Sequence, residues 1–266
     1  MRQSHQTHRI KRCLQTYMSS NINELKLYFG DDYPINDYIT LHQPKVNDVI
    51  EMGEADYYST VYALTAIPSD MKSQLWDAGY CWEDIPDFNL FAMLSVNLDV
   101  SKTSVFFGDL DFTKFQLGKR TDTDELVLFQ ITEYGEEIVL DNYAYLKIVQ
   151  ILRKIHNLKP KIERAATKTV RMILIEEDRK KHLTKKDEDK GSMLLPLISS
   201  LINCSEFKYG LNEVRDMPLM AFMDSVSRVQ IIKSTTALLH GCYSGMIDTS
   251  KINKKELNWM RNIEES

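Results

Sequence analysis

The stretch Glu125–His156, "ELVLFQITEYGEEIVLDNYAYLKIVQILRKIH", decides the fold, because the spacing of its apolar residues changes at Asp141. Before Asp141, "ELVLFQIT" and "EEIVLD" are short strand-like runs joined by "EYGE" around Gly135, the pattern of paired strands. After Asp141, Tyr145, Ile148, Val149, Leu152 and Ile155 recur every three or four residues. That spacing places them on one face of a helix, with Asp141 as its cap. A sheet this small must cover one face with a helix to be stable, so the stretch predicts an α+β chain.

Working outward, "TSVFF" and "FTKFQL" extend the strand pattern, so a short antiparallel meander is expected inside a predominantly helical chain. "ELKLYFGDDYPINDYITLHQP" alternates around "GDDYP" and predicts an N-terminal β-hairpin. Helical spacing follows in "VNDVIEMGEADYYSTVYALTAI". Pro68 and Ser69 open a short helix that Gly79 closes, and Asp87 caps another in "IPDFNLFAMLSVNL". Beyond the meander the chain reads as helix: "KPKIERAATKTVRMILIEEDRKKHL" after the Pro160 break, "SMLLPLISSLIN", "NEVRD", and a long segment with Pro218 in its first turn. The expected organisation is a disordered tail over 1–20, an α+β domain with the inserted meander over 21–183, a charged linker over 184–191, and a C-terminal helical bundle over 192–266.

A chain of 266 residues can bury a sizeable core, and 43 % apolar with 27 % charged residues excludes wholesale disorder. The net charge of −5 argues against a dedicated nucleic-acid binder. No apolar run approaches the ~18–20 residues of a membrane span. The basic N-terminus "MRQSHQTHRIKRCLQTYMSS" lacks the apolar centre of a signal peptide. Cys13, Cys81, Cys204 and Cys242 stand apart with no CxxC pair, which excludes a common zinc ribbon and suggests a reducing compartment. No glycine-rich phosphate loop or HExxH pattern is present, and no cofactor or metal is expected.

The strongest catalytic candidate is the pair Asp109 and Asp111 in "SVFFGDLDFTKF". Alternate residues of an extended strand share a face and could offer oxygens to a divalent metal. Gly108 before the pair, the apolar runs on both sides and the lack of a third ligand nearby favour a turn between two strands. His240 and Cys242 in "LLHGCYSG" miss the nucleophile-elbow pattern, and Gly241 reads as a helix stop. Glu83, Asp84 and Asp87 in "CWEDIPDF" read as a loop leading to a cap. Between Arg153 and Lys190, thirteen Lys and Arg face seven acids, a net of +6 that leaves −11 on the remainder. No aromatic interleaves these bases as single-strand stacking would require, so a solvated helix face comes first and a partner interface second. Met217, Met220 and Met223 could form an adaptable apolar face or pack in the core.

The stretches "AIPSDMKSQLWDAG", "FFGDLDFTKF", "LIEEDRKK", "LLPLISSLIN", "FMDSVSRVQIIKSTTALLHGCYSG" and "KINKKELNWM" span most of the chain between Leu25 and Met260. They resemble proteins from the late, structural gene clusters of tailed phages and prophages of Gram-positive bacteria, and among these the tail-assembly chaperone-type proteins. "FGDDYPINDYITLHQPKVNDVIEMG" resembles the usual opening of such proteins, a small β element followed by helices. The resemblance implies a non-enzymatic helical protein in the cytoplasm of the bacterial host. It would bind the tape-measure protein, help tail-tube subunits polymerise around it, and leave before the virion is finished. The chain departs from the pattern in being longer than a short chaperone, and its first twenty residues have no counterpart.

On this reading a helical client docks on Phe222, Met223, Val226 and Val229 of the last long helix and on Trp259 in the tail, although the same spacing suits core packing. A homo-oligomer is a further expectation. The alternatives are a structural virion component, such as a neck, baseplate or tail-completion protein, and a divalent-metal-dependent enzyme using Asp109 and Asp111.

Overall fold

The computed structural model describes residues 22–186, 191–246, 250 and 252–263; the expected tail over 1–20 and four residues of the expected linker, 187–190, lie outside the described residues. Eleven α-helices and two small antiparallel sheets make the described chain α+β and predominantly helical.

The N-terminal stretch departs from the hairpin expectation. Asn23 Oδ1 accepts from the backbone N–H groups of Leu25 and Lys26 at 3.1 and 3.3 Å, so Glu24–Phe29 forms helix α1. Gly30 ends it at φ +81°, and a Cβ there would meet Pro218 Cγ at 2.7 Å. Only glycine meets both demands. The hairpin shrinks to β1 (Tyr33–Pro34) against β2 (Thr40–Leu41). It turns on Asn36, whose Oδ1 accepts from the N–H groups of Tyr38 and Ile39.

Helices α2 (Val46–Met52) and α3 (Glu54–Thr65) are divided at Gly53, φ +84°. A 3₁₀ turn at Pro68–Asp70 leads into α4 (Lys72–Asp77), and α5 spans Asp87–Ser95 with Pro86, not Asp87, at the cap position. "TSVFF" is no strand. It lies in helix α6 (Val100–Phe107), whose first turn is capped by Asp99 accepting from the Lys102 N–H. Its β-favouring residues are overruled by burial: Thr103, Phe106 and Phe107 all turn into the core.

The meander is present but shorter than expected, with β3 (Gln116–Lys119), β4 (Leu126–Ile131) and β5 (Glu137–Leu140) antiparallel in chain order. Its register sets Leu128 against Leu140 and Gln130 against Ile138, and these residues are buried. Helix α7 (Asn142–Ile155) follows as expected, with Asp141 Oδ1 accepting from the Ala144 N–H at 2.8 Å. All five apolar positions anticipated for α7 are buried, joined by Ala144 and Ile151. Each fully buried aliphatic side chain contributes about 1.5–3 kcal/mol, which makes α7 the spine against which α3, β5 and α11 pack.

After Pro160 the chain runs without regular structure to Thr167 before α8 (Lys168–Lys186), so the expected helix begins later than its sequence pattern. Helices α9 (Leu194–Ile202), α10 (Leu211–Asp216) and α11 (Leu219–Tyr243) complete the fold. Pro218 stands at the cap of α11, and the helix passes through Gly241 to Tyr243; Gly245, at φ +71°, follows its end. Leu194, Leu201, Val214, Leu219 and Phe222 join the same apolar cluster as α1–α7. A smaller cluster of Ala66, Leu75, Trp82, Leu90 and Ile175 forms where α8 lies on α4.

Candidate functional site

The aspartate pair is a capping turn, with a helix rather than a strand before it. Gly108 closes α6 at φ +61°, and Asp111 accepts at 3.0 Å from the Thr113 N–H and at 2.7 Å from the Thr113 hydroxyl. The hydroxyl bond is the main cause that holds the Asp111 carboxyl below its ordinary pKa. Asp109 points to solvent, and the described residues contain no group of three or more His, Cys, Asp and Glu that could hold a metal ion.

His240 and Cys242 sit in the last turn of α11, where adjacent positions face apart, with the imidazole exposed and the thiol half-buried. Glu83 does more than lead into a cap. Its carboxylate accepts from the Ala165 N–H at 2.7 Å and from Arg171 at 2.5 and 3.1 Å, bonds that lower its pKa against the opposing cost of burial. Glu83 thereby fastens the irregular segment before α8 to the 3₁₀ turn at Trp82–Asp84.

Similar contacts join other described residues of the basic segment and its surroundings. Arg179 reaches Asp77 at 2.6 Å, Lys154 pairs with Glu24, and Arg153 donates to the Thr65 carbonyl at 2.7 Å. The buried Lys72 ammonium reaches Glu163 at 2.8 Å and the Ser69 carbonyl at 2.6 Å. Lys161 and then Lys72 hold the Glu163 carboxyl down to about 2. Three bases of this segment, Lys154, Arg171 and Arg179, are therefore paired with acids in the N-terminal half of the same chain.

Ser73, Asp178 and His182 resemble a nucleophilic triad in composition only. Asp178 occupies the middle, accepting from the Ser73 N–H at 2.9 Å and hydroxyl at 2.7 Å, while His182 Nε2 lies 3.7 Å from Asp178. A base must touch the nucleophile, and here the imidazole contacts Gln74 instead. Asp178 caps the start of α4 and pins α8 to it. No sequence signal marks this contact, because its partners lie 105 residues apart.

Tyr57 and His156 form a second buried polar pair. The Tyr57 hydroxyl donates to His156 Nε2 at 2.8 Å, and Nδ1–H donates to the Leu152 carbonyl at 2.7 Å. Both ring nitrogens are thus bonded as the neutral tautomer requires, and burial lowers the imidazole to about 4.

A shallow groove of about 890 Å³ runs along the outer face of the meander, floored by Val127, Phe129 and Val139. Two of its polar side chains have partners: Asn36 donates to the Val139 carbonyl, and Arg120 lies between Asp122 and Asp141. The lining is mixed, with Lys119, Arg120, Asp122, Glu137 and Asp141 beside the apolar floor.

The client-binding residues expected on α11 divide by depth. Phe222 is fully buried; Met223, Val226 and Val229 are half-buried against the main core; Trp259 is half exposed. Above them, α1 turns outward Leu25 and Phe29, 69 % and 73 % exposed, with Tyr28 between them. Arg228 ties this region together by donating to the carbonyls of Trp259 and Arg261 at 3.0 and 2.9 Å. Burial first, then Asp224 and Tyr209 nearby, raises the Tyr28 hydroxyl pKa. The α1 side chains were missed because their segment reads as a strand. An Asn cap followed seven residues later by a glycine was the signal that would have found the helix. No membrane-spanning helix occurs among the described residues. Comparison with protein-family models, with curated proteins and with solved structures returned no match to this chain.

Proposed function

We propose that this protein works as a non-enzymatic phage morphogenesis factor, a tail-assembly chaperone that holds the tape-measure protein while the tail forms around it. The observation that carries the reading is the outward apolar face of α1, which packs on α11, together with the C-terminal tail that Arg228 holds to the same helix. Leu25, Phe29, Tyr209 and Trp259 each expose half or more of their surface. Exposed large apolar side chains grouped around one buttressed region mark a binding face. Their spacing on α1 suits the apolar stripe of a long helix, the form of a tape-measure client. The resemblance to the phage late-cluster proteins narrows the client; the surface supports binding.

Met223, Val226 and Val229 then act as the floor on which the outer residues rest, and Phe222 as a core residue. Co-expression with tape-measure segments, followed by affinity capture, tests the reading. Capture is expected with the intact protein and should fall at least about tenfold for Phe29→Asp or Trp259→Asp, as for a buried interface anchor. Equal capture by both variants, or stoichiometric presence of the chain in finished virions, overturns the chaperone reading.

A further inference from the structure

Helix α8 docks the wrong way round for an ordinary surface helix. The side it turns inward carries Arg171 on Glu83, Asp178 on Ser73, Arg179 on Asp77 and His182 on Gln74, with Ile175 fully buried and Leu174 half-buried as its apolar contacts. The side it turns to solvent carries Met172 and Ile173, each 51 % exposed, and Leu183, 61 % exposed. An amphipathic helix normally buries its apolar stripe, so this arrangement leaves a stripe to be covered by something else.

The spacing of the outer stripe says what covers it. Thr169, Ile173, Glu176, Lys180 and Leu183 follow one another at intervals of four, three, four and three, the spacing of a helix–helix seam. Reversed end for end about its midpoint, the sequence matches itself: Ile173 falls opposite Leu183 and Glu176 opposite Lys180. In a parallel pair the same residues would set Glu176 against Glu176 and Lys180 against Lys180, which is repulsive. Glu176 already accepts from Arg179 at 3.1 Å, yet its side chain remains 53 % exposed and can meet a second cation.

We propose that α8 is a self-association element through which two copies of this chain pair antiparallel. Ile173 and Met172 of each copy pack on Leu183 of the other, and two Glu176–Lys180 ion pairs lie between these apolar ends. The two-fold arrangement is closed, so it yields dimers and not filaments. The seam covers only about 15 Å of helix between Ile173 and Leu183, short of a standard interface, so a weak, concentration-dependent association is expected. This inference is independent of the client proposed above, since it uses a different face.

The test is sedimentation velocity on the full chain over a concentration series reaching several hundred micromolar. A monomer–dimer equilibrium is expected, and Ile173→Asp with Leu183→Asp should weaken it by about tenfold or more. Both positions face solvent, so an unchanged helical circular dichroism spectrum and melting temperature should show that the fold is retained. Glu176→Lys alone and Lys180→Glu alone should each weaken the dimer, and the two together should restore it. A monomer throughout the series, a dimer indifferent to the Asp substitutions, or a double charge reversal weaker than either single change would overturn the proposal.

Discussion

Acidification should remove stability through His156, and the amount can be worked from the structure. The ring is enclosed by Tyr57 and Phe106, with centroids at 5.7 and 6.5 Å, and both nitrogens are bonded in the neutral form. Burial holds its pKa at about 4, against 6.5 in the unfolded chain. Between these values the unfolded state binds a proton that the folded state refuses, so stability rises with pH and is lost as pH falls from 6.5 towards 4. At about 1.36 kcal/mol per pKa unit, the loss is about 2 kcal/mol by pH 5 and about 3 by pH 4. These are upper figures, because part of the ring surface meets solvent. The assay is urea unfolding at each pH, comparing the native protein with His156→Gln, whose amide can accept from Tyr57 and donate to Leu152. Every carboxylate is common to both proteins, including Glu163, whose contribution is lost progressively as the pH falls from 4.5 towards about 2. The stability difference between the two should therefore change by 2–3 kcal/mol across this window, about two pKa units' worth. Parallel pH profiles would refute the reasoning.

Three further outcomes follow from the geometry. Gly30→Ala forces a side chain into a left-handed turn and against Pro218, and should cost at least about 1–2 kcal/mol in chemical unfolding; a neutral result would show that the contact relaxes freely. Asp178→Ala strips the Ser73 N–H and hydroxyl of their acceptor and should cost about 2 kcal/mol or more, with faster hydrogen exchange in α8 than in α7; uniform exchange across both helices would contradict its role as a pin. Asp111→Ala should lose a cap of about 1 kcal/mol while Asp109→Asn changes nothing, and calorimetric titration with Mg²⁺ should give no heat; binding abolished by Asp109→Asn would return the pair to metal chemistry.

Local patterns were legible where one face of one element told the whole story. The Asp141 cap and the recurring apolar residues of α7, the alternation of β4 and β5, and the turn at Gly135 all depend on neighbours within a few residues, as their hydrogen bonds and burial do. They fail where burial outweighs propensity, as at Thr103–Phe107, whose strand-favouring residues form a helix because both phenylalanines can reach the core from one of its faces. The start of α8 was misjudged for a related reason: Ala165 and Glu163 are held outside the helix by Glu83, Ser69 and Trp82, contacts that outcompete it.

From its sequence alone the protein could be read as a predominantly helical α+β chain with a small meander, a strong division of charge, and few reactive groups in reach of one another. The tertiary structure decided which charges meet and which apolar faces stay outside. Glu54 illustrates the difference: it accepts from the N–H groups of Met193 and Leu194, 139 and 140 residues away, and so sets the start of α9. Periodicity reports that a face exists, whereas its occupant depends on how distant segments compete for the same space, and that competition is settled only when the chain closes on itself.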